Sequence, residues 1–444
     1  MQFQKTNRTA FLNFLRAKYE AWTGAIEVRS YPHYLLVDPS TICQLRCPTC
    51  PTGQENESRK LGTNITFRNR TMLAVDLFDA LLHELGEYLF QITLYNWGEP
   101  LLNKKLPDFI KKAQALDIYT EIHTNLSLPL SDQFIDELLG SGLGSISASI
   151  DGFSQETYQT YRRGGNFELA KGNLERLIKA RERLGLKTNI IWNFLVFSFN
   201  EHEIPATQKY CREVGITFNQ REAFITNPDW LPSYRKNEAN LQTLQVIPTN
   251  TVQESASTNP QQLPQKNRST LPCAWHYNYS VVNADGSVSP CCAPWEQKFD
   301  FGVVQPGRES FADIWNNDLY RRSRGAFAGK EVKGLSQLET LCVKCPYGHG
   351  IQNLYSGLDI HVINQFNKVF KGSDPILDVA FDLLNDKKRF VEFFRENLID
   401  DFSPETPTYS FFKRNYAFLQ RTQNFVYREF KRSYRFLQRI QNSA

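Results

Sequence analysis

The 444-residue chain has nine cysteines, at 43, 47, 50, 211, 273, 291, 292, 342 and 345. Three of them fall within the eight-residue stretch "CQLRCPTC" (43–50). Thiolates bind soft metals, so zinc and iron–sulfur clusters are the candidates. Structural zinc takes four protein ligands, usually as two spaced pairs. A compact C-x3-C-x2-C instead offers three ligands to the corner of a cubane and leaves the fourth iron open to an exogenous chelator. Downstream, Cys273 and Cys291 flank "YSVVNADGSVSP" (279–290), and "LCVKCP" (341–346) adds Cys342 and Cys345. Four thiolates close one [4Fe–4S] cluster, and a hairpin with a C-x2-C pair suits a zinc ribbon as well. Cys211 lies in a helical pattern and reads as core. Cys292 adjoins a ligand and is a candidate for a thiol near the site.

Alternating elements must position these thiols. "YLLVD" (34–38), "FQITLY" (90–95), "IYTEIHT" (118–124), "SISASID" (145–151), "NIIWNFLVF" (189–197) and "ITFNQ" (216–220) read as strands. The intervening stretches 72–89, 106–116, 130–142, 167–185 and 203–215 carry apolar residues at helical spacing. Strand–helix alternation implies parallel βα units, and six of them make an α/β fold with an open or partial (β/α)6 barrel. Ligands bind at the C-terminal ends of such strands, where the three-cysteine loop lies. "YSVVNADGSVSP" reads as two short strands about an Asp-Gly turn, which brings Cys273 and Cys291 together.

A C-x3-C-x2-C directly after the first barrel strand resembles the signature of radical S-adenosylmethionine enzymes. The resemblance covers roughly residues 31 to 350. It implies a [4Fe–4S] cluster on Cys43, Cys47 and Cys50 whose open iron is chelated by the amino and carboxylate groups of S-adenosylmethionine. Reduction of that cluster would cleave the cosubstrate to a 5′-deoxyadenosyl radical that abstracts a substrate hydrogen, with flavodoxin or ferredoxin as reductant. "NWGEP" (96–100) resembles the family's GGEP motif with Trp97 in place of the first glycine. Gly98 would let the backbone approach the ligand, and main-chain groups with Glu99 would meet the methionine amino group. "SASIDG" (147–152) resembles the family's S-[IL]-D-G, which implies that Ser149 contacts the methionine carboxylate. Arg162 or Arg163 of "YRRGGNF" (161–167) suits bidentate pairing with the same carboxylate. Asn193, polar within an apolar strand, is either an adenine or ribose contact or a satisfied core amide. The spacing of Cys273, Gly286 and Cys291, followed by Cys342 and Cys345, resembles a SPASM module in a single-cluster, twitch-like form. That implies one auxiliary [4Fe–4S] cluster. In some members of the family a free thiol returns a hydrogen atom to a substrate radical, and Cys292 is the candidate here.

The expected organisation is an N-terminal amphipathic helix (1–30), the barrel (31–235), a Gln/Asn/Ser/Thr/Pro-rich linker (236–270), the auxiliary-cluster module (271–350) and a basic aromatic helical tail (351–444). In the tail "RNYAFLQRTQN" (414–424) recurs as "RSYRFLQRIQN" (432–442), an offset of 18 residues that returns both copies to one helix face. Such a helix suits docking on the protein itself, a membrane surface, an acidic partner, or an anionic substrate. No nucleic-acid-binding fold accompanies its charge. No apolar run approaches the roughly 20 residues of a membrane span, and the start lacks the apolar core of a secretory signal. With clustered thiols these features place the chain in the cytoplasm, with the inner membrane surface a candidate site for the tail. The substrate reading is a carbohydrate or glycan that is oxidised, epimerised or deoxygenated. The alternative is a maturase of a ribosomally made peptide, although no separate leader-binding domain is read in the roughly thirty residues before the barrel. A zinc-ribbon scaffold is the distant alternative.

Overall fold

The structure, a computed structural model, describes residues 4–236, 273–345 and 357–399. The linker and the repeat-bearing tail expected from the sequence lie outside the described residues. Two compact units are present, Met1–Lys387 and Lys388–Ala444. The described part of the second ends with helix α14 (Lys387–Asn397), and all that follows concerns the first.

Six parallel strands run side by side in chain order: β1 (Tyr34–Val37), β2 (Gln91–Leu94), β3 (Tyr119–Thr124), β4 (Ser145–Ser149), β5 (Asn189–Val196) and β6 (Thr217–Glu222). Helices join them: α2 (Pro51–Leu61) and α3 (Val75–Leu85), α4 (Leu106–Gln114), α5 (Asp132–Gly140), α6 (Gln155–Tyr161) with α7 (Phe167–Arg183), and α8 (Ile204–Glu213). A single turn, α9 (Ser233–Lys236), follows β6. Strand side chains alternate between two faces, and the burial follows that alternation. Leu35, Val37, Ile92, Leu94, Ile122, Ile146, Ile190, Trp192 and Phe194 face the helices and are completely or almost completely buried. The other face carries Thr93, Glu121, Ser149 and Asn193 and lines the concave side. The six βα units expected from the sequence are therefore present as an open sheet.

The cysteine-bearing segment after residue 273 does not stand apart from this sheet. Its first strand, β7 (Tyr279–Val282), pairs in parallel with β1, with Leu36 opposite Val281. β8 (Ser287–Ser289) and β9 (Gly302–Val303) then extend the sheet antiparallel to nine strands. Gly286 adopts φ 85° in the hairpin turn, a conformation that favours glycine. The hairpin is tied back by Arg68, whose guanidinium forks onto Asp300 at 2.7 and 2.8 Å and also reaches Ser287 and Ser289. Helix α10 (Phe311–Trp315) receives Glu84 of α3 at its N-terminus, where the carboxylate accepts from the Phe311 and Ala312 amides at 2.9 and 2.6 Å. Helix α11 (Asp318–Ala328) completes the segment.

The N-terminal helix α1 (Arg8–Thr23) is buried on nearly all sides. Helices α12 (Gly357–Val369) and α13 (Pro375–Asp382), expected as the start of one long tail, pack against it instead. Phe11 meets Phe366 and Phe381 edge-on, and Lys18 pairs with Asp359 at 2.7 Å where both side chains are fully buried. These helices lie by the N-terminal end of β1, since Tyr34 Oη donates to Asp359 at 3.3 Å. The opposite end of the sheet carries the cysteine loop.

Candidate active site

The loop between β1 and α2 is held by backbone contacts that leave its thiols facing the sheet's C-terminal edge. Asp38, at the end of β1, accepts from the Trp97 amide at 3.1 Å, and burial pushes its carboxyl up to about 7. The Glu99 amide donates to the Ile42 carbonyl at 2.8 Å. Gly98 lies so close to this loop that a Cβ there would overlap the Ser40 carbonyl. The close approach expected of Gly98 is thus made to the cysteine loop's own backbone. Asn56 of α2 clamps the loop by donating to the Cys43 and Leu45 carbonyls, both at 2.8 Å.

Cys43, Cys47 and Cys50 come together here. Burial raises all three thiol pKa values, Cys47 to about 12. Charge on neighbouring thiols raises Cys43 and Cys47 further, with Glu99 adding to the effect at Cys43 and Glu55 at Cys50. Three such thiols do not ionise together unless a cation compensates them, and ligation by a metal core removes their protons. The surroundings favour that outcome. Cys50 is the N-cap of α2, where the backbone amides of Thr52 and Gly53 favour its thiolate. The Leu45 amide and Asn125 Nδ2 approach Cys43 Sγ at 3.5 and 3.7 Å. Among the described residues no three His, Cys, Asp or Glu side chains converge on a single ion. A cubane asks for a different arrangement, one thiolate at each of several irons, and the donor set fits it.

Of the two adjacent arginines, Arg162 turns inward and Arg163 is exposed. Arg162 Nε donates to Asp151 Oδ2 at 2.5 Å, and the guanidinium charge is near enough to Cys47 to favour its thiolate. Asp151 is completely buried and accepts from the Leu195 amide at 2.8 Å, so the "SIDG" motif aims the arginine. Glu99 is buried too, and its carboxylate accepts from Thr124 Oγ1 (2.6 Å) and the Asn125 (2.8 Å) and Leu101 (3.0 Å) amides. Ser149 ends β4 half-buried, opposite Asn193 in the register. Asn193 Oδ1 accepts from Asn219 of β6 at 2.7 Å.

Sequence reasoning missed the polar row on the concave face. Gln91 Nε2 donates to Thr93 Oγ1 (3.0 Å) and Glu121 Oε2 (3.2 Å). Glu121 Oε1 meets His123 Nε2 at 2.8 Å, and the His123 ring stacks on Tyr95 at 4.6 Å. Burial pushes the Tyr95 phenol up to about 12, and Cys50 and Cys292 are both near enough to push it further. Tyr95 is thus within electrostatic reach of both Cys50 and Cys292. The signal was available: Thr93 and Tyr95 flank Leu94, and Glu121 and His123 flank Ile122, so each pair shares a face opposite an apolar residue.

The second group of thiols also assembles. Burial raises Cys273 and Cys291 to about 12 and Cys342 well above its ordinary value. Cys345 is among the charges acting on each of them. Cys292 is exposed, and burial raises it as well. Cys211 is core, 1% exposed on α8.

Comparisons with known proteins agree with these two assemblies. Residues 37–210 match the radical SAM superfamily model, and residues 273–346 match the model of SPASM, an iron–sulfur cluster-binding domain. A "Probable GTP 3′,8-cyclase" of Methanococcus maripaludis strain C5 is 26% identical over 203 residues, 46% of this chain and 61% of that protein. The chain thus spans under two thirds of that relative's length. A PqqA peptide cyclase of Rhodopseudomonas palustris is 25% identical over 339 residues, 72% of this chain and 81% of that protein. The structure of Streptococcus suis SuiB bound to precursor peptide SuiA is 16% identical with a TM-score of 0.47, covering 74% of this chain and 73% of that one.

Proposed function

From the premise that the chain is a radical SAM superfamily enzyme with a C-terminal SPASM iron–sulfur domain, we propose that it removes a hydrogen atom from a hydroxyl-rich carbohydrate or glycan held in the concave face of the sheet. The observation that carries this reading is the polar row Gln91–Thr93–Glu121–His123–Tyr95, whose last member is within electrostatic reach of both Cys50 and Cys292. Cys43, Cys47 and Cys50 hold the first [4Fe–4S] cluster, and Cys273, Cys291, Cys342 and Cys345 hold the auxiliary one. The first cluster and S-adenosylmethionine supply, when bound, the one-electron chemistry that takes hydrogen from the substrate.

The chain's own residues bind and orient. Arg162, fixed through Nε by Asp151, offsets thiolate charge at Cys47 and turns its remaining N–H groups toward the cosubstrate carboxylate. Glu99 spends three of its roughly four acceptor sites on internal donors. That leaves one site, with the neighbouring main chain, for the cosubstrate ammonium. Ser149 contacts the same cosubstrate carboxylate, and Asn193, bridged to Asn219, faces its adenosine part. His123 and Glu121 act together on substrate hydroxyls, the carboxylate fixing which imidazole nitrogen carries the proton. Cys292, exposed beside Tyr95, is placed to return a hydrogen atom in a redox-neutral outcome. A flavodoxin or ferredoxin supplies the electron.

A second reading, modification of a ribosomally made peptide, is favoured by one observation. Similarity to the PqqA peptide cyclase runs through both modules, whereas similarity to the GTP cyclase covers less than half the chain.

Anaerobic reconstitution tests the cluster assignment. The wild type should hold about eight irons per chain and the Cys43/Cys47/Cys50→Ala variant about four. Only the wild type should cleave S-adenosylmethionine to 5′-deoxyadenosine. Zinc in place of the second four irons would remove the auxiliary cluster from the reading. Stimulation of cleavage by nucleotide sugars or by peptides separates the two substrate classes.

A further inference from the structure

Behind the second group of thiols lie two buried polar side chains that the cluster-binding pattern does not include. His276 sits three residues after Cys273 on the short turn Ala274–His276, and it is 1% exposed. Its Nε2 lies 3.4 Å from Cys342 Sγ, while Nδ1 is buried with no partner among the described residues. The two neutral tautomers are not equivalent there. With the proton on Nδ1, a buried N–H goes unpaired and a lone pair faces the sulfur. With the proton on Nε2, the N–H points at the sulfur and only a lone pair goes unpaired. A metal-bound sulfur carries no proton of its own, so it accepts and the imidazole donates.

Arg324 of α11 is completely buried beside this histidine. Its Nε donates to the His276 carbonyl at 3.0 Å, and one amino group reaches Asn316 Oδ1 at 3.1 Å and the Ile26 carbonyl at 3.3 Å. The other amino group has no partner among the described residues, and no carboxylate there lies within ion-pair distance of this guanidinium. Aromatic faces surround it, with Trp315 at 4.7 Å and Tyr320 at 5.1 Å. Tyr320 in turn is near enough to feel charge on both Cys342 and Cys291. The buried Glu20 carboxylate acts on this guanidinium but forms no ion pair with it; a buried cation so placed is costly, and a four-thiolate iron cluster is an anion.

We infer that His276 donates its Nε2–H to the Cys342 sulfur and that, together with the buried Arg324 cation, it raises the reduction potential of the auxiliary cluster. Both groups stabilise the more negative, reduced state, and hydrogen bonds to the cluster sulfurs and net charge are among the factors that set such potentials. The inference rests on Cys342 being an auxiliary-cluster ligand.

The test uses the full chain carrying Cys43/Cys47/Cys50→Ala, so that only the auxiliary cluster remains, followed by redox titration with the reduced cluster read by electron paramagnetic resonance. His276→Phe keeps the ring and removes the donor; His276→Gln keeps an N–H. At a fixed potential His276→Phe should lower the ratio of reduced to oxidised cluster at least tenfold, a shift of about 59 mV for one electron. His276→Gln should stay within threefold of the parent, and Arg324→Gln should move the potential in the same direction as the phenylalanine variant. A titration of His276→Phe that overlays the parent overturns the inference. So does loss of iron in both histidine variants, which would make His276 a ligand or a structural residue. A parent that holds no auxiliary iron fails earlier, at the metal analysis, and takes the cluster assignment down with it.

Discussion

Gly98 offers a direct test of how the cysteine loop is held. Its φ is not in the left-handed region, so alanine there meets no backbone penalty. The penalty is contact alone. A Cβ at Gly98 would overlap the Ser40 carbonyl oxygen and stand 2.5 Å from its carbon and 2.9 Å from the Ile42 amide nitrogen. Carbon atoms in contact settle at about 3.5 Å or more, so the turn after β2 and the cysteine loop must part by at least about 1 Å. Overpacking of that kind costs about 1–3 kcal/mol of stability. A displacement of about 1 Å at a catalytic constellation costs on the order of 100-fold in rate. Gly98→Ala should therefore lower 5′-deoxyadenosine formation by about 100-fold, measured chromatographically on reconstituted protein with iron content determined on the same sample. Gly140→Ala, where nothing lies within 4 Å of the added carbon, is the matched control and should behave as wild type. Cleavage by Gly98→Ala within threefold of wild type would refute the account of the glycine.

Three further perturbations follow from buried charge. Asp151→Asn keeps an acceptor for the Leu195 amide but leaves Arg162 a buried cation without its partner, and should cost about 3 kcal/mol in denaturant unfolding; an apolar replacement of both residues that proves no more stable than the single variant would contradict this. Arg68→Lys replaces a fork on Asp300 by a single donor and should cost about 2 kcal/mol, with faster proteolysis of the β8–β9 hairpin; an unchanged melting temperature would mean the fork does not tie the hairpin. Burial lowers the His33 pKa to about 4 from 6.5, so the folded state binds fewer protons across that interval. Its contribution is complete above pH 6.5 and is lost as pH falls toward 4, in total about 3 kcal/mol at about 1.4 kcal/mol per pH unit. His33→Phe should flatten this acid limb in urea titrations, and an unchanged limb would assign it to other groups.

The cysteine spacings, the βα alternation and the "GEP" and "SIDG" stretches were legible without coordinates because each is local. Ligand spacing within one loop, apolar period and strand-end motifs all depend on residues a few positions apart. The same locality explains why the arginine question stayed open. Arg162 and Arg163 are alike in sequence, and only the buried Asp151 carboxylate, eleven positions upstream, selects the first. Chain order does not give neighbours in space, so the sheet extension through β1 and β7, which lie more than 200 residues apart, also had no local signal.

The sequence by itself determined that two sets of thiols exist and that the first lies at the C-terminal edge of a parallel sheet, because strand direction follows from the βα order. Only the tertiary structure decided what stands around and between them. Tyr95, His123 and Glu121 become one row through strand register. His276 reaches Cys342, 66 positions away, because the turn after Cys273 and the Cys342–Cys345 segment fold onto α11. A hydrogen bond acts over about 3 Å whatever the distance along the chain; the register and packing that bring such pairs within reach are properties of the whole fold.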